Sequence, residues 1–182
     1  MNLKRIVVCA LAAALVASGV FGTACAAETA PLKGRLTLYT SQPERDVTKL
    51  IAAFNERHPD VAVDVFRSGT EEVVSKVRAE HKVRSVLADV LLVADSVTFE
   101  SLKEDGMLLP YDSPETRGIP EEYLDKDRTY AGTKIISTGI IYNTGKVKEP
   151  PVSFADLAKS EYKDAIIMPS PLYSGAAAYN LG

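Results

Sequence analysis

Residues 35–77 read RLTLYTSQPERDVTKLIAAFNERHPDVAVDVFRSGTEEVVSKV, and their changing period decides the fold. Leu36-Thr37-Leu38-Tyr39 is a short β-type run ending at Thr40-Ser41. Val47, Leu50, Ile51 and Phe54 then fall at i, i+3, i+4 and i+7, which puts four apolar side chains on one helical face. Pro59 stops that helix. From Val61 to Phe66 apolar residues return at every second position, as in a strand. Ser68-Gly69-Thr70-Glu71 fits a capping box, with a second helix behind it carrying Val73, Val74 and Val77 on one face. Period two, then 3.6, then two, then 3.6 again is the signature of β-α-β-α chain.

The alternation continues outward. Asp89 to Val93 is a near-continuous apolar run, as expected of a parallel strand covered on both faces. Asp95 is placed to cap a third helix running through Phe99 and Leu102 to Gly106. Three β-then-α units predict a doubly wound α/β lobe. In such sheets ligands bind beyond the carboxyl ends of the strands, where helix N-termini present unpaired N–H groups. Thr40-Ser41, Ser68-Gly69-Thr70 and Ala94-Asp95 all belong at that edge.

After Leu109-Pro110-Tyr111 the chain is turn-rich, with Pro114, Gly118 and Pro120. Tyr130 to Ile136 and Gly139 to Tyr142 are β-like, Ser153-Phe154-Ala155-Asp156 is a second capping box, Ala165 to Met168 reads as a strand, and Ser174-Gly175-Ala176 starts a helix. The expected division is a signal peptide over 1–26, a first α/β lobe over 27–134, and an incomplete second α/β lobe with hinge strands over 135–182. A helix has barely begun where Gly182 is reached, so a truncated second lobe is the expectation.

The N-terminus carries Lys4 and Arg5, an unbroken apolar run from Ile6 to Ala17, and small residues at Ala24-Cys25-Ala26. That order is a secretory signal with cleavage before Ala27. The competing readings are a membrane anchor, diluted by Gly22 and Thr23, and lipidation at Cys25, which lacks the leucine usual three residues earlier. Cleavage removes Cys9 and Cys25, the only cysteines, and with them disulfide and thiolate-metal chemistry. Without Lys4 and Arg5 the 21 basic and 24 acidic residues become 19 and 24, a net charge of −5. An acidic chain without a basic cluster is a poor match for nucleic acid.

The pieces Leu38-Tyr39-Thr40-Ser41-Gln42, Ser68-Gly69-Thr70-Glu71-Glu72, Ala88-Asp89-Val90, Gly106-Met107-Leu108, Gly139-Ile140-Ile141-Tyr142-Asn143-Thr144, Pro151 to Leu157, and Met168-Pro169-Ser170-Pro171 before Ser174-Gly175-Ala176 are similar, in order and spacing, to one family. The chain resembles the ferric-iron, phosphonate and sugar-phosphate branch of the extracellular solute-binding proteins, which serve ABC importers. The resemblance implies a type 2 periplasmic binding protein: two α/β lobes closing on a ligand, in a family whose members are considerably longer. It further implies that Ser174, Gly175 and Ala176 match a helix start whose N–H groups hold an anion, for which helix N-termini are suited. A histidine iron ligand falls on Pro43 and a glutamate ligand on Ala94; the family's paired tyrosines lie past Gly182. Ferric iron is thereby disfavoured as cargo, and a phosphonate or phosphorylated compound favoured.

The expected function is therefore capture of a small anionic solute in the periplasm, by a monomer, for an inner-membrane ABC permease. Ferric iron with a synergistic anion stays open as transported ligand rather than cofactor. The candidate ligand-binding residues are Thr40, Ser41, Ser68, Gly69, Thr70, Asp95, Thr138, Ser174, Gly175 and Ala176. Thr40 and Ser41 serve equally well as turn residues. Ser68, Thr70 and Asp95 have a plain reading as helix caps worth about 1 kcal/mol. Asp95 could instead pair with an ammonium group on the solute. His58 and His81 read as solvated, and Tyr111 and Tyr142 as core or hinge packing. The other classes weighed are a secreted hydrolase of phosphate esters and a lipid-anchored adaptor outside transport. G-x-S-x-G, Walker A, G-x-G-x-x-G and H-E-x-x-H patterns are all absent, so no catalytic or metal-ligating residue is assigned.

Overall fold

The computed structural model describes residues 32–181, so the signal peptide, Cys9 and Cys25 lie outside the described residues. The chain forms β1 (Gly34–Thr40), α1 (Glu44–Arg57), β2 (Val61–Arg67), α2 (Thr70–Lys82), β3 (Val90–Leu92) and α3 (Ser96–Glu104). All three strands are parallel and lie in the order β2-β1-β3. The expected α/β architecture with a parallel sheet is present.

β1 is central because both of its faces are apolar. Tyr39 and Leu38 are consecutive, point to opposite faces, and are both buried. Tyr39 packs with Val73 and Val77 of α2 and with Val93 just beyond β3; Phe66, Leu91, Phe99 and Met107 surround them. The helical spacing of Val73 and Val77 thus serves the face that was expected, whereas Val74 is only half-buried. α1 buries Val47 while Leu50 stays exposed.

β1 and β2 pair along their full length, Gly34 opposite Val61 through Thr40 opposite Arg67. β3 pairs with β1 over three residues only, Leu38–Thr40 opposite Val90–Leu92. Side chains extend that short ladder at both ends. Asp89 Oδ2 accepts from the Thr37 amide at 2.7 Å, and the Asp89 amide donates to the Thr37 carbonyl at 3.0 Å. At the far end the Leu92 carbonyl accepts both the Thr40 hydroxyl at 2.7 Å and the Ser41 amide at 3.1 Å.

Three local expectations change. The capping box at Ser68 does not form: Gly69 is the N-cap of α2, without a side-chain cap, and the Ser68 hydroxyl bonds the Glu72 carboxylate instead. Helix start and cap have shifted by one residue, and the Ser68 hydroxyl donates to a carboxylate one turn along instead of accepting from an amide. Tyr130–Ile136, Gly139–Tyr142 and Ala165–Met168 belong to no strand; the sole pairing near them is an isolated antiparallel bridge between Leu124 and Ala131. A strand exists only through a partner's hydrogen bonds, and among the described residues these runs have none beyond that single bridge. Ile141 and Ile167 are each 99 % exposed in consequence. Tyr111 and Tyr142 are exposed rather than packed.

The second capping box does form. Ser153 Oγ accepts from the Asp156 amide while Asp156 Oδ2 accepts from the Ser153 amide, though the helix it opens is a 3₁₀ turn, Phe154–Ala158. Asp95 caps α3 as expected, its Oδ1 accepting from the Thr98 amide at 2.7 Å. Ser174 caps α4 (Gly175–Tyr179), its hydroxyl accepting from the Ala177 amide at 3.3 Å.

Candidate functional site

With β1 flanked by β2 on one side and β3 on the other, the chain leaves β1 toward one neighbour and returns to the opposite one. Such a reversal of strand order opens a crevice at the carboxyl ends of the strands. The turn after β1, the start of α2 and the turn after β3 meet there. So does a distant segment, Tyr173–Ala176.

Two glycines allow that approach. Gly69 is buried, and a β-carbon on it would stand 2.6 Å from Tyr173 Cδ2 and closer still to the Tyr173 carbonyl oxygen. Gly175 is also buried; a β-carbon there would lie 3.0 Å from both Asp95 Oδ2 and Thr70 Oγ1. Thr70 Oγ1 in turn donates to Ser41 Oγ at 3.0 Å. Ser41, Thr70, Asp95 and Gly175, far apart in sequence, therefore form one contiguous wall.

Beside this wall lies a cleft of about 460 Å³ to which Ser41, Ser68, Gly69, Thr70, Ser174, Gly175 and Ala176 contribute. A smaller recess of about 260 Å³ shares Ala94, Lys134, Ile136 and Ala176 with it and adds Asp95 and Thr138. Thr138 donates to Asn180 Oδ1 at 3.1 Å. Nine of the ten candidate residues thus line one connected pair of hollows. Thr40 does not: it is fully buried, its hydroxyl donating to Leu92 and accepting from the Gln42 amide at 3.1 Å. It shapes the turn beneath the cleft.

The cleft also holds two cations that the sequence reading passed over. Arg67 stands at the last position of β2, with Nε donating to the Gln42 carbonyl at 2.8 Å. Lys134 reaches in from the irregular segment, donating to Gln42 Oε1 and Asp46 Oδ2 at 3.2 Å each. That hydrogen bond with Lys134 lowers the Asp46 carboxyl below its ordinary pKa. Each cation left a trace in the sequence: Arg67 directly precedes Ser68-Gly69-Thr70, and Lys134 interrupts an otherwise apolar and small-residue run. Tyr173, which closes over Gly69, left no comparable signal.

The wall is otherwise short of chemistry for bond breaking. Ser174 Oγ is engaged with the Ala177 amide, and neither histidine is among the residues lining the cleft. His58 leans on the Phe54 ring, 4.9 Å between centroids, and His81 is exposed. Pro43 and Ala94, where iron ligands of the resembling family fall, both line the cleft and neither side chain can bind a metal. Among the described residues no cluster of three or more His, Cys, Asp or Glu is placed to hold a metal ion, and no helix is long and apolar enough to cross a membrane.

Three solved structures illustrate the likeness of the chain to known proteins. A Trichodesmium protein (IdiA, FutA) in complex with iron and citrate shares 21% identity over 54% of this chain and 31% of its own, with a TM-score of 0.49. Iron-bound HitA from Pseudomonas aeruginosa shares 23% over 52% and 30%, with a TM-score of 0.46. The periplasmic binding protein P5PA shares 24% over 50% and 28%, with a TM-score of 0.45. The matched part spans under a third of the length of each. No curated protein sequence matches the chain. The family model described as bacterial extracellular solute-binding protein matches residues 85–179, from before β3 through the end of α4, which is just over half of the chain. The chain belongs to the bacterial extracellular solute-binding proteins.

Proposed function

We propose that this protein captures a small anionic solute in the cleft beyond β1 and hands it, in the periplasm, to the permease of an ABC importer. The reading is supported by family membership and, above all, by one geometric observation. The start of α2 and the Tyr173–Ala176 segment pack directly against each other, and together they line a cleft whose charged lining is Arg67 and Lys134. Two cations converging on small hydroxyl and glycine residues suit an oxyanion, which takes charge-assisted hydrogen bonds from the former and close approach from the latter.

Among the candidate cargoes, a phosphonate or phosphorylated compound fits this lining better than ferric iron. Iron needs oxygen, nitrogen or carboxylate ligands, and Pro43 and Ala94 supply none from their side chains. Ser41, Ser68, Gly69, Thr70, Asp95, Thr138, Ser174, Gly175 and Ala176 are proposed as the binding wall, with Thr40 as the residue that holds it. The proposed role is that of a monomeric carrier; among the residues lining the cleft no nucleophile is paired with a base, which supports capture over catalysis.

The test is thermal-shift screening of the chain against methylphosphonate, aminoethylphosphonate, inorganic phosphate, hexose phosphates and ferric citrate. A phosphonate or phosphate should raise the melting temperature, and Gly175→Glu, which puts a bulky carboxylate against Asp95 and Thr70, should abolish the rise. Stabilisation by ferric citrate alone, or a response unchanged in Gly175→Glu, would refute the assignment.

A further inference from the structure

Both cations of the cleft are held by the same short stretch, but by different chemistry. Arg67 rests on a neutral acceptor, the Gln42 carbonyl. Lys134 rests on the Gln42 carboxamide and on a carboxylate, Asp46, at 3.2 Å. Asp46 lies in the first turn of α1 and is not among the residues lining the cleft. It has a second attraction on its other oxygen: Arg45 Nε stands 3.7 Å from Asp46 Oδ1. A helix N-terminus also favours negative charge. Asp46 can therefore let Lys134 go and still be stabilised where it is.

Resting on the reading of the cleft as an anion site, we propose that Asp46 is an internal competitor for the Lys134 ammonium and sets the charge a solute must carry. An incoming anion meets a Lys134 whose charge is already balanced. Replacing one single negative charge by another gains nothing in Coulomb energy and adds desolvation. A doubly charged oxyanion at the same distance doubles the attraction and wins the exchange. The cleft thereby selects dianionic headgroups over carboxylates and other monoanions, without a clash or a size filter. Because both groups are partly solvated, the exchange is a matter of a few-fold rather than orders of magnitude.

Isothermal titration of the full chain at low salt and pH 8, with inorganic phosphate as the dianion and acetate as the monoanion, tests this. The wild type should bind phosphate a few-fold more tightly than acetate. Asp46→Asn should tighten phosphate by about two- to fivefold and strengthen acetate binding as well. Lys134→Gln should weaken phosphate and, combined with Asp46→Asn, erase the gain. A readout without substitution is the carboxyl-carbon resonance of Asp46, which phosphate should shift and acetate should leave in place. Phosphate binding that Asp46→Asn leaves unchanged or weakens, with an unmoved Asp46 resonance, overturns the competitor role while the anion site stands. Absence of phosphate binding in wild type and Asp46→Asn alike overturns the anion site, and the competitor role with it.

Discussion

Tyr173 lies directly over Gly69, so closely that a β-carbon on the glycine would enter the tyrosine ring edge at 2.6–2.8 Å. A residue from the distal part of the chain is thereby seated on the N-cap of α2. Gly69→Ala must push the two apart: the half-exposed ring of Tyr173 can swing aside, but its backbone carbonyl, closer still, cannot. Overpacking of this kind costs about 1–3 kcal/mol. The expected outcome is faster chymotrypsin cleavage after Tyr173 with the sheet still folded by circular dichroism. Unchanged cleavage would mean that Tyr173 is not held there.

Thr40 separates support from contact. Its hydroxyl serves two backbone groups, the Leu92 carbonyl and the Gln42 amide, in a fully buried position. Thr40→Val keeps the shape and removes both bonds, so urea unfolding should show a loss of about 1–3 kcal/mol, which Thr40→Ser largely restores. Phosphate affinity should follow the stability of the turn. A large affinity loss in Thr40→Ser, with stability intact, would instead place Thr40 on the solute.

Asp95 holds a backbone conformation, φ 61° and ψ 149°, next to the region that only glycine occupies freely. Such strain is worth about 1–3 kcal/mol. Asp95→Ala keeps the strain and loses the bond to the Thr98 amide, and should destabilise by about 1–2 kcal/mol in urea melts. Asp95→Gly relieves the strain while losing the cap, and should be near neutral. Asp95→Asn retains the cap and removes the charge; aminoethylphosphonate should then lose its advantage over methylphosphonate in competition titrations.

Acid sensitivity should be local. Lys159, together with the Val152 and Ser153 amides, holds the Asp156 carboxyl down from 3.8 to about 2. A depressed carboxylate contributes stability that is complete above its unfolded pKa and is lost as pH falls through its folded one. The Ser153–Asp156 box should thus be intact at pH 4 and open on approach to pH 2. The Asp156 carboxyl resonance gives its midpoint directly. A midpoint near 4 would show that the box does not persist in solution.

The first half of the fold was legible because the hydrophobic period marks each element there. Val73 and Val77 face Tyr39 as their spacing requires; the run at Asp89–Val93 does form β3, but as a strand of three residues with Val90 exposed, not one covered on both faces. Asp95 and Ser174 cap helices because a short polar side chain before a helical run has little else to bond. Ser68 misled because its hydroxyl donates to the Glu72 carboxylate, one turn away, instead of accepting from a helix-start amide. The runs around Ile135, Ile141 and Ile167 carry strand-like composition, but pairing is a property of two segments and composition reports only one. Arg67 and Lys134 left only faint traces, because their immediate neighbours in the sequence do not tell a cation that lines a cleft from a solvated one. Only the Gln42 turn, which collects both, marks them as a pair.

β3 contributes three residues to the sheet, and its alignment is clamped from outside by Asp89 at one end and by Thr40 and Ser41 at the other. A strand so brief has little cohesion of its own and could slide along its neighbour, yet a slide of one position would turn Asp95 away from Gly175 and swap which residues meet the core. The two clamps act as stops on a ruler. Insertions between Val83 and Ala88 should be absorbed by the exposed chain there, while adding or deleting one residue between Asp89 and Asp95 would misplace the whole rim of the crevice at once.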